Sequence, residues 1–316
     1  MISSGGANHT FLLKFQPDLT TVCLCSVEKV CKSGFRALLV DFVVITGMKK
    51  PLIGILLCFL TSTGHAFTLF GDSEITKYGF RENPKSTVTV DHVSWDGFLA
   101  KYVKDRNGIS IVAYSSVSTK DARNLRKYID SLGRTEVSQL ARQEQFAYWV
   151  NLYNALTVRV ILDHYPVNSI KDISYNLFSQ GPWAEPLVSV EGFELSLDDI
   201  EHQILRPVFR DSRIHYAVNC ASFSCPNLQG VAFTRDNLEL LLDRGAQQYI
   251  NHSRGVNIVN NEIVLSRIYD WYARDFGDSE SEILSHLKRY ADDDLKSKLE
   301  GKNVIAEYVY DWALNE

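Results

Sequence analysis

The chain has 316 residues, of which 45% are apolar, 22% charged and 11% aromatic. That balance excludes a disordered, collagen-like or multi-span membrane protein and predicts a globular one. A formal charge of -5 and a pI near 5.9 leave no basic excess, so no nucleic-acid partner is expected.

The two methionines are Met1 and Met48, and both can start translation. Met48-Lys49-Lys50 precedes an apolar run from Pro51 to Leu60 and then Thr61-Ser62-Thr63-Gly64-His65-Ala66. A short basic region, an apolar stretch and small residues before a cut after Ala66 make a bacterial-type secretory signal peptide over 48–66. The run falls well short of the ~20 residues that a spanning helix needs, so no integral membrane span is expected after cleavage. Residues 1–47 read as upstream sequence added by an early start, and 67–316 as a single mature domain with a periplasmic or secreted location. Six basic and three acidic side chains precede Phe67, so the mature chain is more acidic than the whole. Of the six cysteines it keeps Cys220 and Cys225.

Residues 67–90 form a polar lead-in. Ser94 is expected to cap a helix that Asn107-Gly108 stops, and a short strand follows from Ile109 to Tyr114. Thr119 opens a second helix, with Leu125, Tyr128, Ile129 and Leu132 at helical spacing, ended by Gly133. From about Ser138 to Tyr165 the pattern is helical and apolar nearly all round, as in a central buried helix. Glu144, Asn151 and Asn154 share one side of it, either fastening neighbouring loops or lining a site. Val188–Val190 and Phe193–Leu195 form a hairpin about Glu191-Gly192. Ser196 and Asp199 make a capping box for a helix to about Arg206. Ile214–Val218 reads as a buried strand that delivers Asn219 and Cys220. After a helix from Thr234 to Ile250 come a hairpin about Asn260-Asn261, a helix opened by Ser266 and another capped by Ser279, and a late strand from Val304 to Tyr310. The expected fold is α+β, helix-rich, with small antiparallel strands.

Phe146-Ala147-Tyr148-Trp149-Val150-Asn151-Leu152-Tyr153-Asn154-Ala155-Leu156, Leu195-Ser196-Leu197-Asp198-Asp199-Ile200-Glu201-His202 and Arg213-Ile214-His215-Tyr216-Ala217-Val218-Asn219-Cys220-Ala221-Ser222 carry a resemblance. With Trp271-Tyr272-Ala273-Arg274-Asp275-Phe276-Gly277 and the terminal Tyr310-Asp311-Trp312-Ala313-Leu314-Asn315, they resemble the domain of unknown function 547 family. The resemblance is strongest over about 140–277. It implies a domain shared by bacterial exported proteins and eukaryotic proteins, and it brings no settled activity, so the chemistry has to come from the side chains.

Cys220, at the end of the expected strand, can act as a nucleophilic thiol. His202 is its candidate base, with Asp198 four residues earlier on the same helix face to accept the ring N-H and fix the tautomer. His215 would lie ~16 Å from Cys220 along an extended chain and is expected to be a half-buried strand histidine. The backbone N-H groups about Asn219-Cys220-Ala221-Ser222 could form an oxyanion hole. Glu144, Asn151, Asn154, Trp183 and Asn219 are candidates for contact with substrate. Two functions remain open: a thiol-dependent hydrolase or acyl transferase acting on peptide, amide or ester bonds, and a non-catalytic domain for a small-molecule or peptide ligand with Cys220 and Cys225 joined as a disulfide. The His and Cys spacings match no zinc framework, and no phosphate-binding glycine loop occurs in the mature chain, so neither a metal nor a cofactor is expected.

Overall fold

The computed structural model describes Tyr78, residues 80–175 and residues 180–316. The expected signal segment 48–66, the residues before it, and most of the lead-in before Phe80 lie outside the described residues. The architecture is α+β, dominated by helices, with three small sheets among the described residues. No described helix is long and apolar enough to cross a membrane.

Helix α1 (Val93–Tyr102) buries Trp95, Phe98, Leu99 and Tyr102. Asn107-Gly108 does not stop it. Those two residues, both with positive φ (54° and 79°), turn the hairpin between β1 (Val103–Arg106) and β2 (Ile109–Val112), as a type I′ turn requires. Helix α2 (Thr119–Gly133) opens at Thr119 as expected and is capped by Ser118, whose hydroxyl accepts the Asp121 N-H. Its buried stripe is the expected Leu125, Tyr128, Ile129 and Leu132.

Helix α3 (Arg142–His164) is the core axis, buried without interruption from Glu144 to Val158. Each large apolar side chain removed from water contributes about 1.5–3 kcal/mol, and here they face every direction. The polar residues within it therefore need partners inside the protein. Glu144 accepts the Val90 N-H at 2.7 Å. Asn151 makes a two-way clamp on Phe233, donating to its carbonyl at 2.7 Å and accepting its N-H at 3.0 Å. Asn154 donates to the Ala217 carbonyl at 2.9 Å and accepts the Asn219 N-H at 2.8 Å.

Strands β3 (Val188–Val190) and β4 (Phe193–Leu195) pair about Glu191-Gly192, and the Ser196–Asp199 capping box forms in both directions at 3.1 Å. The helix that follows, Asp199–Phe209, is longer than expected and wound as a π-helix. Pro207 inside it brings no N-H to the ladder.

Ile214–Val218 is not a strand. Ser212–Tyr216 forms a 3₁₀ turn, opened by the Asp211 carboxylate accepting the Arg213 N-H at 2.9 Å. A five-residue apolar run does not distinguish a buried strand from a buried helical turn, and the Asp211 cap together with the Arg213 ion pairs to Asp211, Glu239 and Asp243 favours the turn.

Helix α4 (Leu238–Ile250) packs on this turn. Strands β5 (Val256–Val259) and β6 (Glu262–Ser266) form the expected hairpin, and β7 (Ile305–Val309) adds to β6 in parallel rather than antiparallel. The chain after β7 runs along the Cys220 loop. Phe223 and Ser224 N-H groups donate to the Ala313 and Asp311 carbonyls, and Asn315 N-H donates to the Ala221 carbonyl.

Candidate functional site

The π-helix, the 3₁₀ turn and the C-terminal segment converge on a cavity of about 250 Å³. The π-helix supplies Glu201 and His202, its N-cap Asp198, the turn His215, and the following loop Cys220 and Cys225. Trp183 enters from the loop ahead of β3, held by the Asp198 N-H donating to its carbonyl at 2.9 Å. Tyr272, Tyr310 and Trp312 close the opposite wall.

Four hydrogen bonds from Asn154 and Asn219 hold the cysteine loop. Besides the Asn154 clamp, the Asn219 side chain donates to the Pro226 carbonyl at 2.7 Å and accepts the Ala221 N-H at 2.8 Å. Ala221 takes a left-handed conformation, φ 58°, so the chain reverses between the two cysteines. Both are free thiols, and the disulfide that the spacing allows is not formed. Cys225 Sγ accepts the Cys220 backbone N-H at 3.0 Å and the Ser222 hydroxyl at 3.3 Å, with the Tyr310 hydroxyl at 3.2 Å. Cys220 Sγ, only partly buried, lies 3.4 Å from Ser222 Oγ and 3.3 Å from Tyr310 Oη.

These contacts divide the pair. Burial alone raises the pKa of the Cys225 thiol, but the hydrogen bonds from Cys220, Ser222 and Tyr310 outweigh it and pull the pKa down to about 6. Cys220 moves the other way, because it donates its proton towards Cys225 and is itself desolvated. The two sulfurs share one proton and titrate as a unit.

On the facing wall, His215 Nε2 meets Asp275 Oδ2 at 2.7 Å, and Arg206 donates to both oxygens of the same carboxylate at 2.6 and 3.2 Å. Burial would raise the Asp275 pKa, but these donors hold it well below the usual carboxylate range. The ionised Asp275 fixes the proton of His215 on Nε2. The His215 ring stacks on Tyr272 with centroids 4.1 Å apart, and its Nδ1 faces Glu201 Oε1 at 3.8 Å. His202 Nδ1 accepts from Arg206 at 3.2 Å, and its Nε2 stands 3.7 Å from Asp198 Oδ1, beyond hydrogen-bonding distance. Burial pushes the Asp198 carboxyl up, against the opposing pull of His202.

Cys220, His202, Asp198 and Trp183 thus line one cavity. No histidine nitrogen among the described residues hydrogen-bonds to Cys220 Sγ, so the expected thiol–His202 contact is not made. Glu144, Asn151, Asn154 and Asn219 do not line the cavity, since their side chains are spent on backbone groups, those of Val90 and Phe233 for the first two and those of the cysteine loop for Asn154 and Asn219. The Cys220 and Ala221 N-H groups are likewise taken, by Cys225 Sγ and Asn219 Oδ1, and are not free for an oxyanion. His215, expected to be remote in a strand, is in the wall because the 3₁₀ turn brings it back. Tyr272, Asp275 and Tyr310 carry no local spacing signal linking them to Cys220. Only their place in the terminal motifs pointed to them. Among the described residues no group of three or more His, Cys, Asp and Glu side chains is arranged to hold a metal ion.

No curated protein and no solved structure matches the chain. Residues 137–250 match a family model. That segment spans α3, the π-helix and both cysteines, while Ile268 to Trp312 adds the opposite wall. The family so matched is described as Protein of unknown function, DUF547.

Proposed function

We propose that the cavity is the active site of a thiol-dependent hydrolase or acyl transferase with Cys220 as nucleophile. The observation that supports this most is the pairing of Cys220 Sγ, on the cavity wall, with a Cys225 sulfur held towards its thiolate by three donors. In this reading the Cys225 thiolate is the base that His202 was expected to be. Cys220 Sγ bonds to the carbonyl carbon of an amide or ester while its proton passes to Cys225 Sγ. The carbon–nitrogen or carbon–oxygen bond then breaks, and the leaving group departs with a proton returned from Cys225. Water adds to the thioester carbonyl, the carbon–sulfur bond breaks, and the acid leaves with Cys220 restored as a thiol. In this reading His202, between Asp198 and Arg206, is the polar group that faces the carbonyl oxygen. The exported location suggested by residues 48–66 belongs to the same proposal.

The test is acylation by p-nitrophenyl acetate followed by peptide mass analysis. The expected result is one acetyl group on Cys220, absent in Cys220→Ser and formed at least about tenfold more slowly at neutral pH in Cys225→Ser. Nitrophenol release unchanged in Cys220→Ser would sink the proposal.

A further inference from the structure

Arg254, in the loop between α4 and β5, is a half-buried cation with no carboxylate partner among the described residues. Its Nη1 donates to the Phe223 carbonyl at 3.3 Å and its Nη2 to Asn227 Oδ1, so the guanidinium grips the cysteine loop two residues before and two residues after Cys225. The guanidinium carbon stands 5.4 Å from the centroid of the Tyr249 ring, whose hydroxyl donates to the Ser224 carbonyl at 2.7 Å. Its Nε is buried and has no acceptor among the described residues. By contrast Arg159, Arg206, Arg213 and Arg235 each have a carboxylate, from Asp163, Asp275, Asp211 and Glu144. A charge drawn out of water is costly unless an opposite charge compensates it.

Burial lowers the pKa of Arg254, and the groups that oppose it are Tyr249, Cys225 and Tyr310. Burial also keeps the Tyr249 and Tyr310 phenols protonated at neutral pH, so of the three only the Cys225 sulfur can carry a negative charge there. Tyr114, Tyr153 and Tyr272, which also sense the charge of the cysteine pair, are held protonated in the same way. The cavity side adds Asp198, Glu201, His202 and His215, and its two carboxylates repel a thiolate rather than favour one. Among the described residues Arg254 is the one cationic side chain bonded to the loop from Asn219 to Asn227. A neighbouring arginine is the kind of group that favours a thiolate over a thiol.

We propose that Arg254 is the counter-charge of the cysteine pair, a positioning residue that holds the shared negative charge on the sulfurs from outside the cavity while Cys220 Sγ faces into it. The catalytic consequence, more thiolate at neutral pH, rests on the thiol reading, but the pairing of charges does not require Cys220 to react.

The experiment is a pH titration of thiolate ultraviolet absorbance in Arg254→Met and Arg254→Lys beside the parent protein. The first step, near 6 in the parent, should rise by about one pH unit or more in Arg254→Met. Arg254→Lys, which keeps the charge without the planar fork, should recover at least half of that rise. A residue that only fastened the loop would lose stability in both variants and leave the step in place. Nitrogen-15 NMR of the parent keeps the test decisive if Arg254→Met does not fold. There the Arg254 Nε-H resonance should move with its midpoint at the same first step, and the movement should vanish in Cys225→Ser. A step unmoved in folded Arg254→Met, an equal rise in Arg254→Lys, or an Arg254 resonance that stays flat across the step overturns the proposal. Failure of p-nitrophenyl acetate to acylate Cys220 overturns the thiol reading instead and leaves the titration to decide this one.

Discussion

Asn154 on α3 accepts the backbone N-H of Asn219 at 2.8 Å, and through that bond the most buried helix of the protein fixes the loop that carries Cys220. The same carboxamide donates to Ala217, so one side chain satisfies two backbone groups on either side of Val218. Asn154→Leu keeps the volume and leaves both unpaired. At ~1 to 3 kcal/mol for each buried unsatisfied group, a loss of roughly 2–6 kcal/mol in urea denaturation is expected, with slower alkylation of Cys220. Unchanged stability would mean that the loop does not depend on this clamp.

Much of this frame is legible in the sequence, because it rests on local rules. The Ser196–Asp199 box, the β3–β4 and β5–β6 hairpins and the burial of α3 follow from capping, turn chemistry and periodicity. The polar stripe of α3 was legible as a need for partners, but which partners could not be read, since Phe233 and Asn219 lie 82 and 65 residues from theirs. The site was half legible. Cys220, Cys225, His202 and Asp198 stand out as residue types, whereas the arrangement depends on two non-local events. The 3₁₀ turn returns His215 to the cavity, and the pairing of residues 311–315 with the cysteine loop brings Tyr310 to the sulfurs. Neither leaves a periodic trace.

Two buried histidines make stability fall with acid. His92 Nδ1 bonds Tyr128 Oη at 2.7 Å while Nε2 faces the Asn151 amide nitrogen at 3.3 Å, an arrangement that requires a neutral ring. Burial lowers the pKa of His92 and of His286 to about 4, nearby Asp96 and Asp91 opposing it at His92 and Arg289 reinforcing it at His286. Between about 6.5 and 4 the unfolded chain binds protons that the folded chain refuses, so stability drops as pH falls through that window and is unaffected above it. At roughly 1.4 kcal/mol per unit for each histidine, urea denaturation at pH 5 should show about 4 kcal/mol less stability than at pH 7. His286→Phe should remove about half of that slope, and an unchanged slope would mean that the ring is not held neutral.

The thiolate pair should follow its donors. Tyr310 Oη contacts both sulfurs and lies 2.7 Å from Ser222 Oγ. Tyr310→Phe removes one donor from Cys225 and loosens the second. Titration followed by thiolate ultraviolet absorbance should show the first step, near 6 in the parent protein, rise by roughly one unit. Ser222→Ala should do the same, and Cys225→Ser should leave no thiolate forming below the ordinary range of about 8.5. An unmoved first step in both donor variants would assign the low value to something other than this cradle.

Gly181 and Gly192 separate the cost of backbone strain from the cost of moving Trp183. Both have positive φ, 79° and 84°, so alanine at either pays the left-handed penalty of roughly 1–2 kcal/mol. Their surroundings differ. A Cβ at Gly192 meets nothing within 4 Å, whereas one at Gly181 would lie 1.9 Å from Trp183 Cζ3 and 2.2 Å from Cε3. The indole has to leave its place. Because Trp183 sits edge-on to Trp312, centroids 5.6 Å apart, its displacement opens the aromatic side of the cavity. Gly181→Ala should therefore lose roughly 1–3 kcal/mol beyond the Gly192→Ala loss and shift the tryptophan emission towards that of solvent-exposed indole, while Gly192→Ala alters stability alone. Equal stability losses with unchanged emission in the two variants would show that the Trp183 ring can be accommodated elsewhere without disturbing the wall.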